Sequence, residues 1–244
     1  MTHLLVHRIR MLHQSLARVI PAEALRPICL LAGASVIACA LLMLRFVVRW
    51  RIEHIYLPWN LFLAWLPLIF ALVTLHQLDR HGWRNWRTAA AGLAWLLFFP
   101  NAPYIFTDLV HLSPRHDPRF WTELVLILFF AWPGFLVGCL SLRLLHERIS
   151  RELNPLAGWL FAATACGLAG LGVYIGRFLR WNSWDVLTNP FGLAYDLLGF
   201  LGHPPTHPAY RFTLLFAALL FVGYATLLGH TAMQPRLISK RTRP

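Results

Sequence analysis

The chain has 244 residues, of which 58% are hydrophobic and 13% charged, where a soluble domain carries about 45–50% apolar and roughly 25% charged residues. With a mean hydropathy of +0.56, that composition argues against a soluble enzyme, a disordered tail or a collagen-like fibre. The net charge of +12, from 22 Lys and Arg against 10 Asp and Glu, suits either nucleic acid or an anionic membrane as partner, so its distribution along the chain has to decide.

The first 26 residues carry Arg8, Arg10, Arg18 and Arg26 among scattered apolar positions (Ile9, Leu12, Leu16, Val19, Ile20). This suits a helix lying on an anionic inner leaflet, or a disordered basic tail. Six apolar stretches follow: Pro27–Leu44, Ile55–Leu75, Thr88–Phe106, Leu124–Leu142, Pro155–Gly176 and Phe212–Gly229. Each has about the length that a transmembrane helix needs, and short basic segments separate them. A seventh apolar piece, Phe191–Leu201, is too short to span and contains Asp196. It follows Asn189-Pro190, a helix start, and reads as an interfacial or re-entrant helix.

The reading is therefore an all-α, polytopic transmembrane helix bundle of about six spans, with the third broken at Pro100-Pro103. Residues 1–26 form a basic cytoplasmic segment, 27–230 the membrane domain and 231–244 a basic cytoplasmic tail. With both termini in the cytoplasm, the larger share of the 22 basic residues lies inside, as the positive-inside rule asks. The charge then sets orientation and does not point to nucleic acid. The expected location is a plasma membrane, with anionic lipids at the inner face as partners. Val36-Ile37-Ala38-Cys39 loosely resembles a lipoprotein cleavage box, but the apolar run continues to Leu44, so a retained anchor is expected. Cys29, Cys39, Cys139 and Cys166 lie inside spans without CxxC spacing and read as packing residues. No GxxxxGK[ST], GxGxxG or HExxH motif is present, and no cofactor or metal is named by the sequence.

Polar residues inside spans are costly and mark function or a partner. Asn60 lies near the outer end of the second span, where an interhelical hydrogen bond competes with a binding role. In the third span, Pro100 and Pro103 remove two backbone donors and force a break, which is tolerated at membrane depth only when buried or lining a cavity. Asn101 sits in that break, where it either satisfies freed carbonyls or faces a ligand. Thr107 is placed to cap a new turn, and Asp108 and His111 then share a face at i, i+3. That spacing suits a metal pair, a carboxylate orienting an imidazole, or a surface pair at a helix start. The fifth span ends in Arg177, Arg180, Trp181, Asn182, Ser183, Trp184 and Asp185. An aromatic–basic belt explains its Trp and Arg residues but leaves Asn182, Ser183 and Asp185 over. Gly167, Gly170, Gly172 and Gly176 allow close helix approach on this span. The inner segments Asp79–Arg84 and Arg143–Glu152 read as charged connectors. His203 and His207 stand in a proline-stiffened outer loop, an alternative to metal binding.

These stretches resemble a bacterial family of integral membrane proteins, DUF1361. The resemblance is carried by Asn60-Leu61-Phe62-Leu63-Ala64-Trp65-Leu66-Pro67, by Leu97–Tyr104 with Thr107–Leu112, and by Gly176–Asp185, and it covers about residues 40 to 230. It implies a multi-pass protein of a bacterial inner membrane and carries no activity with it.

Three functional classes stay open. In an outer-face enzyme acting on a lipid or lipid-linked headgroup, Asp108, His111 and Asp185 would be the catalytic groups, while Asn60, Asn101, Arg177, Arg180 and Asn182 would bind the anionic substrate. In a small transporter component, the broken third helix would line the path. In a structural or accessory protein, the polar residues would only knit helices together.

Overall fold

A computed structural model describes residues 21–49, 54–112, 114–202, 204 and 207–241. Every regular element among them is helical. The helices are α1 (Ala22–Arg49), α2 (Tyr56–His81), α3 (Trp86–Phe98), the single turn α4 (Asn101–Tyr104), a 3₁₀ helix Ile105–His111, α5 (Phe120–Glu152), α6 (Pro155–Phe178), the single turn α7 (Asp185–Thr188), α8 (Pro190–Gly202) and α9 (Pro208–Arg241). Six segments are long and apolar enough to cross a membrane: Ala22–Val48, Tyr56–His81, Trp86–His111, Phe120–Glu152, Pro155–Phe178 and Pro208–His230. These correspond to the six apolar stretches of the sequence. The basic N-terminal segment lies outside the described residues as far as residue 20, and its last residues from Ala22 belong to α1. The backbone of α9 continues helical from the last span to Arg241.

The helix ends follow local chemistry. Asn85 accepts from the Arg87 N–H at 2.9 Å and caps α3, and Asn154 accepts from the Ala157 N–H at 2.8 Å ahead of Pro155 at the start of α6. Gly82 closes α2 with a positive φ of 75°, which only glycine adopts without strain. The segment Arg143–Glu152, expected as a charged connector, is instead the end of α5. Leu144, Leu145 and His146 are buried there, because the apolar stripe of the helix runs on between its charges.

The chain forms two compact units, residues 1–145 and 146–244. In the first, α2 packs mainly on α3 and on α4. Its core joins Ala38 and Leu42 of α1 to Leu57, Leu61 and Ala64 of α2, Ala102 and Ile105 of the break, and Ile127 and Phe130 of α5. Gly134 and Gly138 of α5 face that break. A Cβ on Gly138 would stand 2.6 Å from the Ala102 Cβ, and one on Gly134 would stand 3.2 Å from the Ala102 carbonyl oxygen. A small-xxx-small pair thus lets α4 approach the α5 backbone. Trp95 is buried beside it, donating to Ser141 Oγ at 3.2 Å while Ser141 donates to the Gly138 carbonyl at 2.8 Å.

In the second unit α6 packs on α9. Gly170 makes the close approach, since a Cβ there would meet the Thr213 carbonyl at 2.5 Å, whereas Gly167 has nothing within 4 Å. His146 Nδ1 and the Tyr224 hydroxyl, both buried, are 2.6 Å apart, and the Trp159 ring stands edge-on to the imidazole at 4.9 Å.

Candidate functional site

The break in the third span comes at Phe99-Pro100, and Pro103 sits inside the short turn α4. The backbone stays right-handed helical through it, at φ −59° and ψ −24° for Pro100. The chain is therefore tightened and not unwound. Without proline donors the ladder shortens: the Ala102 N–H bonds to the Phe99 carbonyl at 3.2 Å, an i−3 bond. The Phe98 carbonyl that this shift frees accepts from Asn101 Nδ2 at 3.0 Å. Thr107 does not cap a new helix as expected. Its hydroxyl donates back to the Tyr104 carbonyl at 2.6 Å, within the 3₁₀ helix.

That geometry turns Asp108 inward. It is 1% exposed, so the pair with His111 is not a surface pair. Its Oδ2 accepts from Asn60 Nδ2 at 2.9 Å, joining α2 to the end of the third span. His111 is exposed, with its ring edge-on to Tyr56 at 5.5 Å. The Tyr56 hydroxyl lies 3.1 Å from His54 Nδ1. His54 Nε2 in turn stands 3.9 Å from Glu123 Oε1, the same oxygen that takes Arg45 Nη2 at 3.1 Å. Glu123 is 2% exposed in the first turn of α5. This end of the first unit therefore holds two buried carboxylates, each met by a donor from another element.

Sequence reasoning missed Arg45, His54 and Glu123. The available signal was that Arg45 directly follows the first apolar run and Glu123 directly precedes the fourth, which puts opposite charges at one predicted depth. Among the described residues, no three His, Cys, Asp or Glu side chains come together as a metal ion would require.

Asp185 belongs to the second unit, with Arg177, Arg180 and Asn182. Its carboxylate accepts from the Asn182 backbone N–H at 2.6 Å, from Asn182 Nδ2 at 3.2 Å and from the Thr188 hydroxyl at 3.1 Å. The Asn182 N–H foremost holds the Asp185 carboxyl below its ordinary range. These bonds fold the loop around the single turn α7. Beside it, Trp181 Nε1 donates to Asp196 Oδ2 at 2.7 Å and ties the loop to α8. Arg177 is half-buried in the last turn of α6. Arg180 ends that helix in the left-handed region at φ 61°, exposed, and makes no hydrogen bond or ion pair among the described residues. Of the two histidines placed in the loop before α9, His207 accepts from the Ala209 N–H at 3.2 Å, and His203 lies outside the described residues.

Polarity in α8 is inverted for a helix on a soluble protein. Phe191, Tyr195 and Leu198 form an exposed stripe at i, i+4, i+7, at 87%, 78% and 68% exposure. The one charge of the helix, Asp196, faces Trp181.

Six helical segments of spanning length among the described residues and an apolar outer surface define the class: a polytopic helical membrane protein. The chain belongs to the DUF1361 family, described as a protein of unknown function, whose pattern matches residues 59–222. No curated protein and no solved structure matches the chain. The matched residues include every candidate from Asn60 to Asp185 and Glu123, while Arg45, His54 and Tyr56 precede them.

Proposed function

We propose that this chain is a bacterial plasma-membrane protein, with both termini in the cytoplasm, that binds an anionic lipid or lipid-linked headgroup at the outer face through the Arg177–Asp185 segment. One observation carries this reading: Arg180 holds the left-handed conformation at φ 61° with no hydrogen bond or ion pair among the described residues. An L-residue there costs roughly 1–2 kcal/mol that glycine would avoid. An arginine at that cost, presented to the solvent side of a span, suits a phosphate, which its planar fork grips with two donors. The exposed stripe of α8, tied to the neighbouring Trp181, supports the reading by offering an apolar surface to the chains of the same lipid.

A structural role is the reading for the end of the first unit, because Asp108 and Glu123 are met by Asn60 and Arg45. There the polar side chains fasten α1, α2, the 3₁₀ helix and α5. No reaction is assigned.

The test is lipid retention. Protein released gently from membranes is expected to carry anionic phospholipid, and Arg180→Gly is expected to carry less of it than wild type, with Arg180→Lys in between. Equal retention by all three would overturn the reading.

A further inference from the structure

A groove of about 600 Å³ runs along the first unit between the last two turns of α1 and the first turns of α5. Leu41, Leu44 and Val48 form one wall at i, i+3, i+7, and Val125 and Phe129 form the other at i, i+4. Arg45 lines it as well, held by Glu123 at 3.1 Å. Arg49 and Arg51 follow in the sequence, so this end of α1 is basic.

We propose that this groove is a phospholipid site, taking the upper part of one acyl chain between α1 and α5 with the lipid phosphate at the Arg45 end. Four features lead there. Both walls belong to segments of spanning length, so bilayer hydrocarbon, and not water, is the medium beside them. Leu44, Val48 and Phe129 are 60%, 67% and 43% exposed, which leaves apolar surface for a chain to cover. The walls run over about eight residues of each helix, roughly 12 Å of rise, most of the roughly 15 Å of hydrocarbon in one leaflet. The volume falls within the range of about 300–1,000 Å³ usual for small-molecule sites.

The groove keeps its shape because α1 is pinned before its apolar wall, at Ser35, and within it, at Arg45. Trp65 Nε1 donates to Ser35 Oγ at 3.1 Å, and Arg45 bonds Glu123. A chain seated there is held in place, unlike the lipid that slides along an open helix face. Glu123 balances Arg45, and the excess charge that Arg49 and Arg51 bring in the sequence favours an anionic headgroup at this end. The site shares no residue with the Arg177–Asp185 segment, so either can fail alone.

The experiment uses the full chain reconstituted in bilayers of phosphatidylglycerol or of phosphatidylcholine, each doped with a phospholipid bearing a photoreactive group on its acyl chain. Labelled peptides are then mapped by mass spectrometry. Several-fold more label is expected on residues 41–48 and 121–129 than on the exposed α9 face at Leu214, Leu215 and Leu219. Phosphatidylglycerol is expected to label more strongly than phosphatidylcholine, and Val125→Trp, which fills the groove, to remove the excess. Even labelling of both faces would overturn the proposal. So would covalent dimers joined through these helices, which would assign the groove to a second copy. Protection by inorganic phosphate alone would point to a free-anion site and overturn it too. The wild-type map decides the matter even if Val125→Trp fails to fold.

Discussion

Asn60 Nδ2 and Asp108 Oδ2 lie 2.9 Å apart, with the carboxylate only 1% exposed. One amide from α2 thereby meets a carboxyl that the proline-tightened end of the third span turns inward. Removing one partner of a buried pair costs the other a hydrogen bond, at about 1–3 kcal/mol, although hydrogen bonds between membrane helices average nearer 0.6 kcal/mol. Asn60→Leu is expected to destabilise by about 1–2 kcal/mol on these grounds. The double variant with Asp108→Leu is expected to cost less than the sum of the two singles. Denaturation of the purified variants in mixed micelles measures both, and strict additivity would contradict the pairing.

The small residues under the break set a steric test. Gly138→Ala places a methyl group 2.6 Å from the Ala102 Cβ. Alanine has no flexible end to yield, so α4 must move, at about 1–3 kcal/mol. Gly167→Ala meets nothing within 4 Å and gains up to about 1 kcal/mol of helix propensity. Melting curves should move in opposite directions for these two substitutions. Parallel shifts would show that α4 does not rest on α5 as described.

Acidity gives a third check. Arg119 holds Asp117 with a 2.7 Å bond from Nη2 and further bonds from Nε and the backbone N–H, drawing its pKa down to about 2 from 3.8. A carboxylate lowered in the folded state stabilises it above the unfolded pKa, and that contribution disappears as pH falls through the folded value. For Asp117 the loss should therefore fall between about pH 4 and about pH 2. Asp185, also lowered, should likewise keep its loop closed until below the ordinary carboxylate range. Carboxyl carbon NMR of labelled aspartate should find Asp117 titrating near 2. Titration near 3.8 would contradict the Arg119 clamp.

Much of this architecture is legible in the sequence, because an uninterrupted apolar run reports depth in the membrane directly. The six spans follow from that, and the break follows from the missing donor of Pro100. Lateral pairing is not encoded in the same way. Arg45 and Glu123 are 78 positions apart, as are His146 and Tyr224, and each member alone reads as a connector charge or a packing aromatic. Asp108 and His111 share a sequence spacing, yet the 3₁₀ helix buries one and exposes the other. Hydropathy places them at the same depth without saying which faces a neighbour.

The two non-glycine residues at positive φ among those described separate backbone need from side-chain use. His54 at φ 64° places its ring against Tyr56 and Glu123, whereas Arg180 at φ 61° has no partner among the described residues. Glycine relieves about 1–2 kcal/mol at either position, offset by about 0.4–1 kcal/mol for its freer unfolded chain. His54→Gly also loses contacts and is expected to destabilise. Arg180→Gly loses no hydrogen bond, ion pair or ring contact among the described residues and is expected to be neutral or up to about 1 kcal/mol more stable in neutral lipid. Thermal melts of both variants in phosphatidylcholine nanodiscs check this contrast.

The same preparation supports the most direct measurement: the rise in melting temperature when phosphatidylglycerol replaces phosphatidylcholine, compared between wild type and Arg180→Gly. A ligand that binds only the folded state raises its stability by mass action. The wild-type protein should therefore melt higher in the anionic bilayer, and Arg180→Gly should lose the part of that rise that the Arg177–Asp185 segment contributes, without melting lower in the neutral one. An equal rise in both proteins would contradict the assignment of Arg180 to an anionic headgroup.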